Sequence, residues 1–104
     1  MGLIVLWSDS AIDELQEIYD YYKLKASKQI ADKISNAIID QTLLLEDNPR
    51  MGQREEIFRD KYKEIRYLVE GNYKIVYLIE DEIVTIATVF DCRQNPKRLK
   101  ETLI

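Results

Sequence analysis

The side chains in this 104-residue chain that could do chemistry are mostly cationic and gather in its C-terminal half. Arg66 and Lys74 fall on neighbouring strand-like runs, and Arg93, Lys97, Arg98 and Lys100 follow the last of these runs, around Pro96. Guanidinium and ammonium groups at the end of a sheet suit a phosphate or an acidic partner, because charge-assisted hydrogen bonds are the strong ones. A plainer reading stands beside each. Arg66 and Lys74 can pair with Glu64 or another acid across the strands, and an exposed pair of that kind is worth under about 1 kcal/mol. Arg93 can bond Asp91 or backbone carbonyls where the strand ends, and the basic tail can be a solvated terminus.

Much chemistry is excluded outright. The chain has no histidine, so the commonest general base and metal ligand is missing, and triads that depend on imidazole cannot form. Cys92 is the single cysteine, which rules out an internal disulfide and a thiolate zinc site, and it reads as a small buried hydrophobe. No metal and no cofactor is expected. There is no apolar run of about eighteen residues, and Met1 to Trp7 lacks a signal peptide's basic flank and cleavage site. A cytoplasmic protein without a membrane partner is the expectation.

The formal net charge is −4, divided unevenly. Residues 1–47 carry 4 basic and 9 acidic side chains, while residues 48–104 carry 11 and 10. An acidic chain is a poor candidate for strong, sequence-independent nucleic-acid binding, which Lys and Arg drive by displacing counterions. Only a local basic patch could provide it.

The elements that must position these residues follow from hydrophobic period. Leu3 to Trp7 is continuously apolar, as a strand buried on both faces would be. Ser8-Asp9-Ser10 offers N-cap side chains, after which Ala11, Leu15, Ile18 and Tyr22 form a helical stripe widened by Ile12 and Tyr19, ending near Lys25. Ser27 can cap a second helix with Ile30, Ile34, Ala37, Ile38 and Leu45 on one face and Ala31 and Leu44 beside it, closed by Asn48-Pro49. Residues 51–61 read as a charged loop with one helical turn. From Lys63 the period becomes two, with turns at Gly71-Asn72 and Asp81-Glu82, and Ile83 to Phe90 is apolar enough for a central strand. Tyr67, Tyr73 and Tyr77 read as packing residues, and Trp7 as core. The expected fold is a single α+β domain over 1–104, ordered β-α-α-β-β-β, its antiparallel sheet covered on one face by a two-helix hairpin.

In that order, several local matches resemble the RelE/ParE superfamily of toxins from type II toxin–antitoxin modules. They are Ala11, Leu15, Ile18 and Tyr21-Tyr22; Asn48-Pro49-Arg50-Met51-Gly52; Tyr73-Lys74-Ile75-Val76-Tyr77; and Val89, Asp91, Arg93 and Pro96. The resemblance implies a bacterial toxin held by a cognate antitoxin, with two competing targets. RelE-like members cut messenger RNA on the ribosome, whereas ParE-like members bind DNA gyrase. Lys74 stands where the RelE pattern has a basic residue and Arg93 near a second, so these two are the catalytic candidates if the chain is a nuclease. The lysines of the preceding RelE strand and the C-terminal tyrosine have no counterpart, since Glu64, Ile65, Arg66 and Tyr67 stand in that strand. The helix pattern and Met51-Gly52-Gln53 resemble the ParE branch more. Arg66, Lys74, Arg93, Lys97 and Arg98 are then the target-binding candidates. A module that has lost toxicity and only binds its partner is a third reading.

Overall fold

In its computed structural model, which describes residues 2–55 and 64–92, the chain forms one layer of helix on one sheet. The elements are β1 (Ile4–Trp7), α1 (Asp9–Lys25), α2 (Lys28–Leu43), a 3₁₀ turn (Leu44–Glu46), β2 (Gln53–Arg54), β3 (Glu64–Glu70), β4 (Tyr73–Glu80) and β5 (Ile83–Asp91). The sheet order is β1-β5-β4-β3-β2. This is the expected α+β arrangement with β5 inside the sheet, and it adds β2 within the segment that reads as a loop.

The sheet is mixed rather than wholly antiparallel. β1 pairs parallel to β5, Ile4 opposite Ile83 through Trp7 opposite Ile86, while every other pairing is antiparallel. A parallel pair needs a long connection, and the helical hairpin and three strands between β1 and β5 supply it. Its place at the margin also corrects the expectation that β1 is buried on both faces. Val5 and Trp7 pack against the core, whereas Ile4 and Leu6 remain 58% and 49% exposed on the other side. Continuous apolar sequence does not distinguish a central strand from an edge strand.

Helix starts are set by side-chain oxygens. Ser8 accepts from the Ala11 N–H and donates its own proton to the Ala87 carbonyl at 2.8 Å, so one hydroxyl both caps α1 and ties it to β5. Ser27 accepts from the Ile30 N–H and caps α2. The face α2 buries is rotated from the expected one. Ala31, Ser35, Ile38 and Thr42 are buried and Leu45 continues the line, while Ile30 and Leu44 are exposed. Two small polar residues at core positions hide this stripe from a count of apolar residues. α2 also ends earlier than Asn48-Pro49: it tightens into the 3₁₀ turn after Leu43, and the Asn48 N–H bonds the Leu44 carbonyl.

The core joins Ala11, Ile38 and Leu45 of the helical layer to Ile75, Tyr77, Ile79, Val84, Ile86 and Val89 of the sheet. Each large apolar side chain buried there contributes on the order of 1.5–3 kcal/mol. Gly71 turns β3 into β4 with φ 61°, where a side chain would be strained, and Asp81 adopts φ 57° in the next turn.

Strand alternation assigns the faces. Tyr73, Ile75, Tyr77 and Ile79 of β4 look toward the helices, so Lys74, Val76 and Leu78 look away. On β3, Arg66 lies opposite Tyr77 and Tyr67 opposite Val76. Arg66 therefore shares the helix side, and Tyr67 the opposite side with Lys74.

Candidate functional site

Two charged clusters flank the sheet, one on each face. On the helix side, Arg66 Nε lies 2.5 Å from Glu64 Oε2, and Arg66 Nη1 donates to the Gly52 carbonyl at 2.7 Å. Arg50 reaches the other Glu64 oxygen at 3.1 Å. Tyr77 stands behind them, fully buried, donating to the Pro49 carbonyl at 2.8 Å and accepting from the Gly52 N–H at 3.0 Å. Burial pushes the Glu64 carboxyl up, but hydrogen bonds from Arg66 and Arg50 outweigh it and hold the group below its ordinary 4.5. Burial raises the Tyr77 phenol above its ordinary 10.0, against the opposing pull of the Gly52 N–H.

On the opposite side, Lys74 Nζ lies 2.5 Å from Glu55 Oε2 and 4.1 Å from the centre of the Tyr67 ring. The Tyr67 hydroxyl donates to Gln53 Oε1 at 2.9 Å, and the Glu55 N–H bonds the Ile65 carbonyl, so β2 and the residue after it clasp the sheet from its margin. The Glu55 side chain is only 4% exposed and that of Lys74 19%. An ammonium held between a carboxylate and a ring face is already satisfied by its own chain.

The structure therefore separates two residues expected to share a surface. Arg66 and Lys74 lie on opposite faces, each engaged by a glutamate. Arg93, Lys97 and Arg98 lie outside the described residues, as does Lys100. Cys92 is exposed rather than buried, because β5 ends at Asp91 and the chain is already leaving the sheet. Tyr73 and Tyr77 are packing residues as expected, Tyr73 donating to the Tyr22 hydroxyl at 3.2 Å. Glu55, Gln53 and Arg50 carry no local sequence signal. Their partners lie 14 to 19 residues away, and the pairing exists only because β2 folds against β3. Among the described residues no group of acids and thiols is placed to hold a metal ion.

The sequence profile of the ParE toxin of the type II toxin–antitoxin system parDE matches residues 5–96. The chain belongs to the ParE toxin family. Solved structures carry the same fold at low identity. The chromosomal ParDE toxin–antitoxin system of P. aeruginosa aligns with a TM-score of 0.70 and 17% identity, over 86% of this chain and 96% of that one. The archaeal RelE–RelB complex of Pyrococcus horikoshii aligns at 0.63 and 12%, over 91% and 100%. The RelBE2 toxin–antitoxin complex of Mycobacterium tuberculosis aligns at 0.60 and 18%, over 88% and 99%. No curated protein matches. Within this ParE-family chain no described helix is long and apolar enough to cross a membrane.

Proposed function

We propose that this ParE-family toxin is neutralised by a cognate antitoxin and acts by binding and inhibiting a macromolecular target such as DNA gyrase, not by cutting RNA. One observation supports the choice: Lys74, one of the two catalytic candidates for a nuclease, is held between the Glu55 carboxylate and the Tyr67 ring, while the Arg66 guanidinium lies on the opposite face, held by Glu64. Cleavage through a 2′-hydroxyl needs a proton acceptor and a cation around one phosphorus, placed within hydrogen-bond reach of it. Without histidine, that demand falls on lysine, arginine, tyrosine or glutamate, and Lys74 and Arg66 are committed to Glu55 and Glu64. The match to the ParE profile points the same way. An antitoxin partner is supported by the structural relatives, which are themselves toxin–antitoxin complexes.

The test is induced expression in cells that lack the antitoxin, joined to a supercoiling assay with purified gyrase. Growth arrest with intact transcripts and loss of supercoiling activity is the expected outcome. Rapid codon-dependent cuts in messenger RNA would overturn the choice of target, and unimpeded growth would leave only an interaction module.

A further inference from the structure

We infer that the outer margin of β1 is a docking edge for a basic, strand-like segment of a partner protein, one in which apolar residues alternate with lysine or arginine. The surface is one the target reading does not use, and the inference stands whether or not gyrase is the target.

Its first support is the hydrogen-bond ladder. The Ile4 N–H bonds the Glu82 carbonyl at 3.1 Å and the Ser8 N–H bonds the Ile86 carbonyl at 2.9 Å, so the even-numbered amides of this stretch face β5. Successive amides of a strand point to opposite sides, which turns those of Leu3, Val5 and Trp7 outward. Leu3 is satisfied there by the Glu46 carbonyl at 2.7 Å. Past that point β1 is the end of the sheet, and among the described residues nothing bonds the outward amides of Val5 and Trp7. The strand also lacks the devices that blunt an edge, a lysine, a proline or a bulge.

The side chains beside this edge supply the second support. Ile4 and Leu6 are exposed, and Ile83, 38% exposed, lies opposite Ile4 in the register. An apolar strip next to unpaired main-chain groups is what an added strand needs, the ladder giving affinity and the alternate side chains specificity. Charge decides which strand. The Glu46 carbonyl takes the Leu3 N–H, and Asp47 Oδ1 would lie 3.2 Å from a Cβ placed on Gly2. Glu82 bonds Ile4 through its carbonyl, Glu80 lies opposite Ile83, and Asp9 follows the far end of β1. All five acids are exposed, and β1, β5, the 3₁₀ turn and the Asp81-Glu82 turn carry no lysine or arginine. A rim of one sign selects the opposite sign in its partner. It also opposes a second copy of this chain, since antiparallel pairing about Leu6 would bring the acids at the start of one β1 toward Asp9 of the other.

The test uses short fluorescent peptides read by anisotropy: an alternating Lys-Val peptide, an alternating Glu-Val peptide, and a block peptide with the composition of the first. The Lys-Val peptide should bind about tenfold tighter than the Glu-Val peptide at low salt, the effect of two or three exposed ion pairs. Salt should narrow that difference, because exposed pairs are screened. Hydrogen exchange followed by NMR locates the contact. In the free protein the Val5 and Trp7 amides should exchange fast and that of Leu6 slowly, and the Lys-Val peptide should slow Val5 and Trp7 several-fold. Leu6→Lys sets a like charge on the margin and should weaken Lys-Val binding about tenfold. Glu46→Lys/Glu82→Lys should reverse the preference toward the Glu-Val peptide. Both variants alter exposed side chains, and unfolding midpoints equal to the parent's confirm that they fold; if either fails, the exchange reading on the parent still decides. Equal binding of the Glu-Val or block peptide would overturn the inference, as would binding that leaves Val5 and Trp7 unprotected. Protection of those amides in the peptide-free protein would overturn it too, and sedimentation showing that it grows with concentration would name a second copy as the occupant.

Discussion

The two faces of the sheet hold the same ingredients, a glutamate, a lysine or arginine and a tyrosine, yet arrange them for different ends. On the helix side, Glu64 gathers two arginines while Tyr77 and Gly52 interlock behind it, and Arg66 and Tyr77 each donate to a backbone carbonyl as well. On the opposite side, Glu55 takes one lysine against one ring. The first cluster fixes the chain segment after α2 against β3 and β4, so its worth lies in stability. The second ties β2 and the residue after it to β3 and β4 and sequesters one ammonium.

The helix-side cluster should therefore dominate any stability measurement. The largest effect is expected at Gly52. A Cβ there would sit 2.5 Å from the Tyr77 hydroxyl and 2.6 Å from the Tyr67 carbonyl oxygen, and the second of these is backbone that cannot swing aside. Gly52→Ala should cost about 3 kcal/mol in chemical denaturation. A loss below about 1 kcal/mol would mean that the segment relaxes freely and that the cluster is not a rigid clasp.

Next comes Glu64→Gln, which leaves the largely buried Arg66 guanidinium with a neutral partner and should cost about 2 kcal/mol at neutral pH, the exposed Arg50 adding little. Its pH signature is sharper than its size. The folded carboxyl titrates below its unfolded value, so the stabilisation is present above about pH 4.5 and is lost as pH falls through the folded value. The parent should lose stability on that acid limb and the variant should show a shallower one; parallel limbs would remove Glu64 from the account.

Tyr77→Phe should be milder, about 1 kcal/mol, because the ring still fills its place while the Gly52 N–H loses its acceptor. The raised phenol adds a direction at the other end of the scale. Its stabilisation is whole below pH 10 and is lost as pH rises through the folded value, and the phenylalanine variant should lack this alkaline loss. At the small end, cutting the surface pair Lys28–Asp32 should leave the denaturation midpoint where it is, since both groups are exposed to solvent. If that substitution mattered as much as Glu64→Gln, burial would not be what separates strong pairs from weak ones here.

The legible parts of the fold were those written in local period. The α1 stripe of Ala11, Leu15, Ile18 and Tyr22, the alternation from Tyr73 to Ile79 and both turns could be read because neighbours in sequence set them. α2 was misread by about one position because Ser35 and Thr42 occupy core sites, where helix packing tolerates small polar groups that bond locally: Thr42 donates to the Ile39 carbonyl. The parallel seating of β1 was not legible, since strand direction depends on a crossover of some seventy-five residues and not on any residue in β1. For the candidate site, the types were legible and the faces were not. Arg66 and Lys74 differ by an even number in sequence, yet the intervening turn at Gly71-Asn72 places them on opposite sides, a matter of register that composition does not carry. Glu55 was invisible for a further reason: it follows a strand of two residues, too short to show any alternation.

One side chain closes a margin that no strand reaches. β1 covers β5 only as far as Ile86, and beyond it Glu14 accepts the Val89 N–H at 3.1 Å and the Thr88 hydroxyl at 2.8 and 2.9 Å. The final strand is thus complete only when the first helix has docked, and the beginning and end of the described chain must assemble together. Loosening that helix would bare the Val89 amide at the margin of the sheet, an invitation to any extended polypeptide nearby.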